Sequence, residues 1–239
     1  VDTLATSPFS ASLLFGYVAN YLYQGDVPLA ERKAHALVVD PRQLRELLGE
    51  AELRDLLDPG SLRDLESRLQ ALDPMHLVKS PDRLHDLLLR LGDLSLPEIA
   101  SRSGAPGAAQ NLLAPLLAEG RALPVTLGGE ERLVAVEDAG RFRDALGVAL
   151  PPGLPEALLE PVPHALQGLL TRYARVRGPF ATAEVVERYG LEPASVEVAL
   201  RQLAEEGRLV EGAFRPAQPR EWCDAEVLAA WRRASLARA

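Results

Sequence analysis

Six arginines in the last third of the chain have the residue type and the spacing that phosphate binding requires. They are Arg172, Arg175, Arg177, Arg208, Arg215 and Arg220. The first three cluster at the end of a predicted helix, and the last three flank a predicted β-hairpin. Guanidinium groups bind the phosphates and base edges of nucleic acids. Two interpretations stay open: a nucleic-acid-binding surface, or a solvated cluster in which the helix dipole favours arginine near a helix C-terminus.

Motifs for other kinds of chemistry are missing from the sequence. There is no Gly-Lys pair for a phosphate-binding loop and no Gly-x-Ser-x-Gly turn for a serine nucleophile. One cysteine, Cys223, and four scattered histidines give no metal-ligand spacing. The acidic pairs Glu130–Glu131 and Glu137–Asp138 are expected to be solvated. The sequence therefore predicts no catalytic residue, metal site or cofactor, and we expect that this chain is not an enzyme by itself.

The overall charge limits the partners of the chain further. Its 239 residues include 26 basic and 34 acidic side chains, a net charge of −8. Such a chain is not expected to coat nucleic acid by charge alone. No apolar run approaches the length of a membrane span, so no membrane partner is expected. The scarcity of cysteine and a start at Val1 rather than Met suggest an excised fragment of a longer cytoplasmic protein.

The elements that position these residues begin with a helical segment over residues 1–76. Asp40-Pro41 and Asp58-Pro59 each place an N-capping aspartate before a proline in the first helical turn. Half of the phenylalanines and tyrosines crowd the stretch 9–23, where they pack internally or against a neighbouring domain. We interpret the segment as a divergent winged-helix-like module or a docking module.

The rest of the chain contains one pattern twice. Residues 77–150 and 164–239 each predict three helices, then a Glu-Gly-Arg turn, a strand, a turn and a second strand. In the later copy, Thr182 is the expected N-cap of the second helix. A proline-rich linker, 151–163, separates them. Glu98 and Glu184 are 86 residues apart, and Gly120 and Gly207 are 87 apart. This pattern indicates tandem winged helices, so the expected fold class is mainly α with small β wings.

The third helix of a winged helix often reads DNA, but here neither third helix has an excess of basic over acidic residues. The stretch 108–119 contains no basic residue. The stretch 193–206 has Arg201 beside Glu197, Glu205 and Glu206. This composition favours a scaffold over a groove-reading module, and the last wing is the best nucleic-acid candidate.

Several strings resemble the bacterial large helicase-related (Lhr-type) ATP-dependent helicases, in the region C-terminal to the motor core. They are residues 7–18 (SPFSASLLFGYV), 24–32 (QGDVPLAER), 137–148 (EDAGRFRDALGV), 177–180 (RGPF) and 220–224 (REWCD). The likeness covers nearly the whole chain. It implies tandem winged helices within a parent that translocates 3′ to 5′ on DNA, serves DNA repair and binds ATP and magnesium in a motor absent here.

The resemblance also sets the functional alternatives. The first is a non-catalytic accessory module that acts in oligomerisation or in positioning nucleic acid, with the helicase core of the same polypeptide, a homo-oligomer and DNA as partners. The second is direct binding of single-stranded DNA or RNA–DNA hybrid through the last winged helix. The third is a DNA glycosylase-like module, because the winged helices also resemble those of a bacterial DNA glycosylase family with a Gln-x-Gln-type motif. No Gln-x-Gln or Gln-x-Asp with an aliphatic central residue occurs here, since Gln24-Gly25-Asp26 has glycine in the middle.

Overall fold

The computed structural model describes residues 57–104, 107–215 and 220–238. The predictions made for residues 1–56, including the cap at Asp40 and the aromatic stretch, lie outside the described residues. The chain divides into two compact units, Val1–Leu62 with Ala229–Ala239, and Arg63–Leu228. In the described part of the chain, no helix combines the length and apolarity needed to cross a bilayer.

The secondary structure of the described residues is mainly helical, with two small antiparallel sheets. The helices are α1 (Pro59–Leu69), α2 (Pro81–Leu91), α3 (Leu96–Ala100), α4 (Ala108–Ala118), α5 (Ala139–Leu146), α6 (Ala165–Arg175), α7 (Thr182–Tyr189), α8 (Pro193–Glu205) and α9 (Ala225–Leu236). The strands are β1 (Asp93–Leu94), β2 (Ala122–Leu127), β3 (Glu130–Ala135), β4 (Leu209–Gly212) and β5 (Glu221–Asp224). The predicted class, mainly α with small β wings, is confirmed.

Asp58 organises the described part of the smaller unit. Its carboxylate accepts hydrogen bonds from the Ser61 backbone at 2.6 Å and the Ser61 hydroxyl at 2.8 Å, which confirms the predicted Asp-Pro helix start. These bonds lower the pKa of Asp58 to about 2. The Asp58 carbonyl accepts from Trp231 Nε1 at 2.8 Å, and the Asp58 amide donates to Ser235 Oγ at 3.0 Å. The start of α1 and the end of α9 are therefore joined by polar contacts.

The larger unit contains the two copies of the predicted pattern. In the first, α2, α3 and α4 precede the hairpin β2–β3, and β1 pairs with β3 to give the order β1-β3-β2. In the second, α6, α7 and α8 precede β4 and β5, which form a two-stranded sheet. Phe180 forms an isolated antiparallel bridge with Trp222, in the place that β1 occupies in the first copy. The tandem winged-helix architecture is confirmed.

The residues that revealed the repeat have matching local roles in the two copies. Glu98 accepts from the Ser95 amide at 2.8 Å, and Glu184 accepts from the Ala181 amide at 2.9 Å, so each glutamate caps the second helix of its copy. Gly120 and Gly207 follow the third helices with φ of +66° and +74°. That backbone conformation favours glycine and ends each helix.

One predicted cap is wrong. The N-cap of α7 is Ala181, and Thr182 is the first residue of the helix. The Thr182 hydroxyl instead accepts a hydrogen bond from Trp222 Nε1 at 3.0 Å and donates to Glu197 at 3.2 Å. The cap shifted by one residue because tertiary partners in α8 and β5 engage the hydroxyl.

The apolar core of the second copy extends into the first wing. Leu169, Leu200 and Trp222 from the second copy belong to the same buried cluster as Val125 and Val134 of the first wing. A separate cluster lies between the helices of the first copy, with Leu84, Leu88, Ile99 and Leu116 almost fully buried. The first wing therefore packs on the second copy as well as on its own.

The proline-rich segment 151–163 lies against α5. Arg143 Nη1 donates to the Leu159 carbonyl at 2.8 Å, and Asp144 accepts from the Val162 amide at 2.8 Å. A 3-10 turn, Glu156–Leu158, interrupts the extended backbone that the prolines predict. A side chain at Gly140 would bring a Cβ to 2.9 Å from the Leu158 carbonyl, so the close approach requires glycine.

The end of α1 packs with both copies. Gln70 Nε2 donates to the Val176 carbonyl at 2.5 Å, and Gln70 Oε1 accepts from Arg102 Nη2 at 2.8 Å. The larger unit begins at Arg63. The domain limits predicted from the sequence, including the one at residue 76, stay predictions.

Candidate nucleic-acid interface

The third helices of the two copies are poor in available positive charge. No basic residue lies on α4, whose sequence is AAQNLLAPLLA. Helix α8 carries Arg201, whose Nε donates to Glu197 Oε1 at 3.1 Å within the same helix. Since DNA affinity rests mainly on unpaired basic groups facing phosphates, neither helix has the charge of a groove-reading helix.

The first three predicted arginines contact different partners. The guanidinium of Arg172 makes a bidentate pair with Asp138, with Nη2 donating to Oδ1 at 2.7 Å. Arg175 is exposed, and its Nε lies 3.8 Å from a carboxylate oxygen of Asp224. The guanidinium of Arg177 lies 4.1 Å from the ring centre of Tyr173, a cation–π contact.

The three arginines around the last wing also have acidic partners. Arg208 Nη1 lies 3.5 Å from Glu206. Arg215 donates to Glu221 from both its side chain and its backbone, and also to Glu184 at 3.2 Å. Arg220 donates to Glu211 and Glu197 and stacks 5.3 Å from the ring centre of Trp222.

The six arginines thus make separate contacts, and in most of these contacts the partner is a carboxylate. Arg177 and Arg215 both lie close enough to Glu66 to lower its pKa, which burial raises overall. Burial tends to lower the pKa of Arg215, but the hydrogen bonds and charges of Glu221 and Glu184 together outweigh that effect and the pKa is raised. A role of the six arginines in nucleic-acid binding stays a prediction.

The acidic pair Glu137–Asp138 differs from its predicted solvated state. Asp138 is buried, and besides Arg172 it accepts from Arg141 Nη1 at 2.9 Å. Glu137 Oε2 lies 3.0 Å from Nε2 of the buried His85. The prediction for Asp138 was wrong because α6, which supplies Arg172, lies 34 residues further along the chain.

An ionic cluster joins the two winged-helix copies. It consists of Asp93, Glu98 and Arg132 from the first copy and Arg188 and Tyr189 from the second. Arg132 Nη1 lies 3.1 Å from Asp93 and 2.9 Å from Glu98. Arg188 lies 2.8 Å from Asp93 and 3.0 Å from Glu98. Tyr189 donates its hydroxyl hydrogen to Asp93 at 3.2 Å.

Within the ionic cluster, neighbouring charges change the pKa of Glu98. Burial tends to raise the pKa of Glu98, but the hydrogen bonds and charge of Arg188 dominate and lower it to about 2. Two arginines face two carboxylates with Asp93 almost fully buried, so each charge has its counter-ion away from water. Removal of one charged side chain would leave its partner charges buried without a counter-ion.

The tip of the first wing lies beside the ionic cluster and touches the second copy. A Cβ at Gly128 would lie 2.3 Å from the Glu187 carbonyl and 2.9 Å from the Arg188 carbonyl. Gly129, the next residue of the same turn, has nothing within 4 Å of such a Cβ. One face of the turn thus packs against the backbone of α7, so the first wing is engaged inside the protein.

The ionic cluster was not predictable from the sequence. Glu98 was noticed because Glu184 repeats it, but its partners Arg132 and Arg188 lie 34 and 90 residues away. The offset of the repeat indicates which residues correspond between copies. It contains no information on which surfaces of the two copies meet.

The first winged-helix copy matches a known family model. The model describes a winged-helix domain of the large helicase-related protein and matches residues 55–161. That range contains α1, the first copy, α5 and most of the proline-rich segment. Two curated proteins extend the match over the rest of the chain.

The first of these proteins is named Lhr helicase/probable uracil glycosylase, from Mycolicibacterium smegmatis, and is 45% identical over 238 residues, or 99% of this chain. The chain belongs to the large helicase-related (Lhr) family. The Escherichia coli Lhr helicase/uracil glycosylase is 40% identical over 208 residues, or 87% of the chain. The chain spans only 16% and 14% of the lengths of these Lhr proteins. The resemblance recognised from the sequence is confirmed, and the chain is a winged-helix region of this family.

Proposed function

We propose that this chain is a non-catalytic support within an Lhr-type 3′-to-5′ helicase, in which two joined winged helices position nucleic acid for the motor. The observation that carries the proposal is the ionic cluster of Asp93, Glu98, Arg132, Arg188 and Tyr189. Through shared carboxylates it joins Arg132 of the first wing to Arg188 of α7 in the second copy. A joined pair keeps a fixed geometry, which positioning requires.

The third helices support positioning over sequence reading. Groove-reading motifs place the N-terminal part of a recognition helix against base edges, with basic groups on the flanking phosphates. Here α4 has no basic residue, and Arg201 of α8 is paired with Glu197. The module is therefore expected to show little preference among base sequences.

The binding partners of this chain in our proposal belong to the parent protein. Both relatives carry the word helicase in their names. We infer that the helicase core of the same polypeptide is the main partner, that ATP and magnesium bind in that core, and that the protein acts in the cytoplasm in DNA repair. Self-association of this region is the alternative scaffold role. Sedimentation of the chain at high micromolar concentration tests it, and a strict monomer would contradict it.

The decisive experiment is done in the intact helicase and disrupts the joint between the two copies, that is, the ionic cluster and the packed wing tip at Gly128. Arg188→Ala and Gly128→Ala disturb the same contact by different means, one through charge and one through packing. We expect ATP hydrolysis within about twofold of the unaltered enzyme and strand unwinding slowed at least fivefold. Arg201→Ala, on the exposed surface of α8, is the matched control and should unwind normally. Normal unwinding by both joint variants, with folding verified by circular dichroism, would contradict the proposal.

Uracil glycosylase activity is the second candidate, because both relatives have it in their names. The four buried carboxylates among the described residues are Asp93, Asp138, Glu221 and Asp224, and each lies beside an arginine. Carboxylates in such pairs serve as structural anchors. We therefore expect this chain alone to leave uracil-containing DNA intact, as measured by alkaline cleavage at abasic sites. Abasic product would establish the enzyme role instead.

A further inference from the structure

A groove of about 600 Å³ lies in the larger unit, lined by residues from the end of α1, from the connection that follows it and from α2. We call it the basic groove. The basic side chains that line it are Arg68, Lys79, Arg83 and Arg90. Asp86 is the acidic residue among those that line the groove. Met75 and His76, from the 3-10 turn Pro74–His76, also line it. The groove thus holds a clear excess of positive charge in a chain whose net charge is −8.

The four cations of the basic groove differ from the six predicted arginines in their partners. Arg68 Nε donates to the Asp64 carbonyl at 3.3 Å, and Arg90 Nη2 donates to the Leu69 carbonyl at 3.5 Å. Among the described residues, none of the four forms an ion pair with a carboxylate within 4.0 Å. Nearby Asp82 is engaged by Arg121 at 2.7 Å and does not compensate them. Their charge is therefore available to an anion.

The arrangement of the basic groove suits a chain of phosphates. Arg83 and Arg90 are seven residues apart on α2, so they lie on one face of the helix about 10 Å apart along its axis. One nucleic-acid strand passes about three nucleotides over that distance at roughly 3.4 Å each. Lys79 precedes the N-terminus of α2, where the helix dipole also favours an anion.

The edge of the basic groove offers apolar surface beside this charge. Met75, which lines the groove, is 88% exposed, and Leu72, three residues earlier in the chain, is also exposed. A base or sugar can pack against such side chains without a hydrogen-bonding pattern, which makes the contact independent of sequence. An acidic protein segment would bind through charge pairing with the cations alone and would be stabilised less by apolar contact with Met75.

We propose that the basic groove binds the sugar–phosphate backbone of a nucleic-acid strand without sequence preference. The inference rests on the proposed positioning function and names the surface that contacts the strand. Binding is sensitive to salt because each phosphate contact releases counter-ions. The groove was not predictable from the sequence, because its cations come from two helices and the loop between them, at wide and irregular spacing.

The test is fluorescence anisotropy of a labelled 20-nucleotide single strand titrated with the whole chain. We expect Lys79→Ala with Arg83→Ala to weaken binding at least tenfold. The slope of log affinity against log salt should fall by about 1.4 for the two lost contacts. The matched control is Arg201→Ala with Arg208→Ala, which removes equal charge from the second copy and should change affinity less than twofold.

A single variant separates binding from folding. Arg83→Glu places a glutamate three residues after the N-cap Ser80, which completes a capping box and keeps α2 stable. We expect it to retain the melting temperature and to weaken binding more than Arg83→Ala.

Three outcomes would overturn the inference: equal losses in groove and control variants, no loss in either, or competition by poly-glutamate as effective as unlabelled oligonucleotide. The last would assign the groove to an acidic protein segment. If the groove variants bind the strand normally while Arg188→Ala still slows unwinding, the groove is excluded as a nucleic-acid-binding site and the proposed positioning function stands.

Discussion

The two winged-helix copies share an order of elements but differ in what their surfaces are free to do. The first copy has its wing tip packed against α7, while the face formed with α1 carries, in the basic groove, cations without a carboxylate partner among the described residues. The second copy has arginines around its wing, but Glu184, Glu197, Glu211 and Glu221 engage them.

The difference shows that the number of arginines is a poor guide to a phosphate-binding surface. A guanidinium that already has a carboxylate partner must give up that pair before it binds phosphate. A guanidinium bonded only to a carbonyl, or to water, has no such cost. The comparison therefore predicts that paired arginines contribute to stability and unpaired ones to binding.

The largest effect is expected at the joint between the copies. Arg188→Ala leaves Arg132 as the one cation of the ionic cluster beside two carboxylates, with Asp93 still buried, and should lower the free energy of unfolding by about 3–5 kcal/mol. Urea unfolding followed by circular dichroism measures it. Arg83→Ala in the basic groove, the comparison variant, should change stability by less than about 0.5 kcal/mol. Similar values for the two variants would remove the distinction between paired and unpaired sets.

The packed tip of the first wing is expected to show the next largest effect. Gly128→Ala places a methyl group against the Glu187 and Arg188 carbonyls, whereas Gly129→Ala places one in open space. Both have positive φ, +56° and +84°, so both substitutions strain the backbone. Overpacking should make Gly128→Ala less stable than Gly129→Ala by about 2 kcal/mol. Equal melting temperatures would mean that the wing tip is free of α7.

Acid should weaken the joint in a defined range of pH. The pKa of Glu98 falls from 4.5 to about 2 in the folded chain, so its contribution is complete above about pH 4.5 and is lost as the pH falls toward 2. Since Glu98 is partly exposed, we expect a contribution of about 1–2 kcal/mol. The stability difference between the unaltered chain and Glu98→Gln should shrink from pH 6 to pH 2.5. A difference independent of pH would place Glu98 outside the ionic cluster.

The smallest effect is expected at the last wing. Arg208→Ala with Arg215→Ala removes two arginines that already have glutamate partners, and should weaken single-strand binding less than twofold in the anisotropy assay. A tenfold loss with a reduced salt dependence would favour the alternative interpretation, in which the last winged helix binds single-stranded DNA or hybrid directly.

Much of the fold was predictable because it depends on local residues. The Asp58-Pro59 start, the capping glutamates Glu98 and Glu184, and the glycines Gly120 and Gly207 act over a few residues. Their nearly constant offset revealed the duplication. Thr182 was misassigned as a cap, since a hydroxyl that Trp222 can reach is not limited to its own helix end.

The sequence by itself determined the order of the helices and strands, the duplication and the family. Only the tertiary structure decided which charges are free. Arg188 lies 95 residues from Asp93, and Arg172 lies 34 from Asp138. Whether a guanidinium meets a carboxylate or water depends on how the two copies pack, and charge pairing acts through space over a few ångströms regardless of position along the chain.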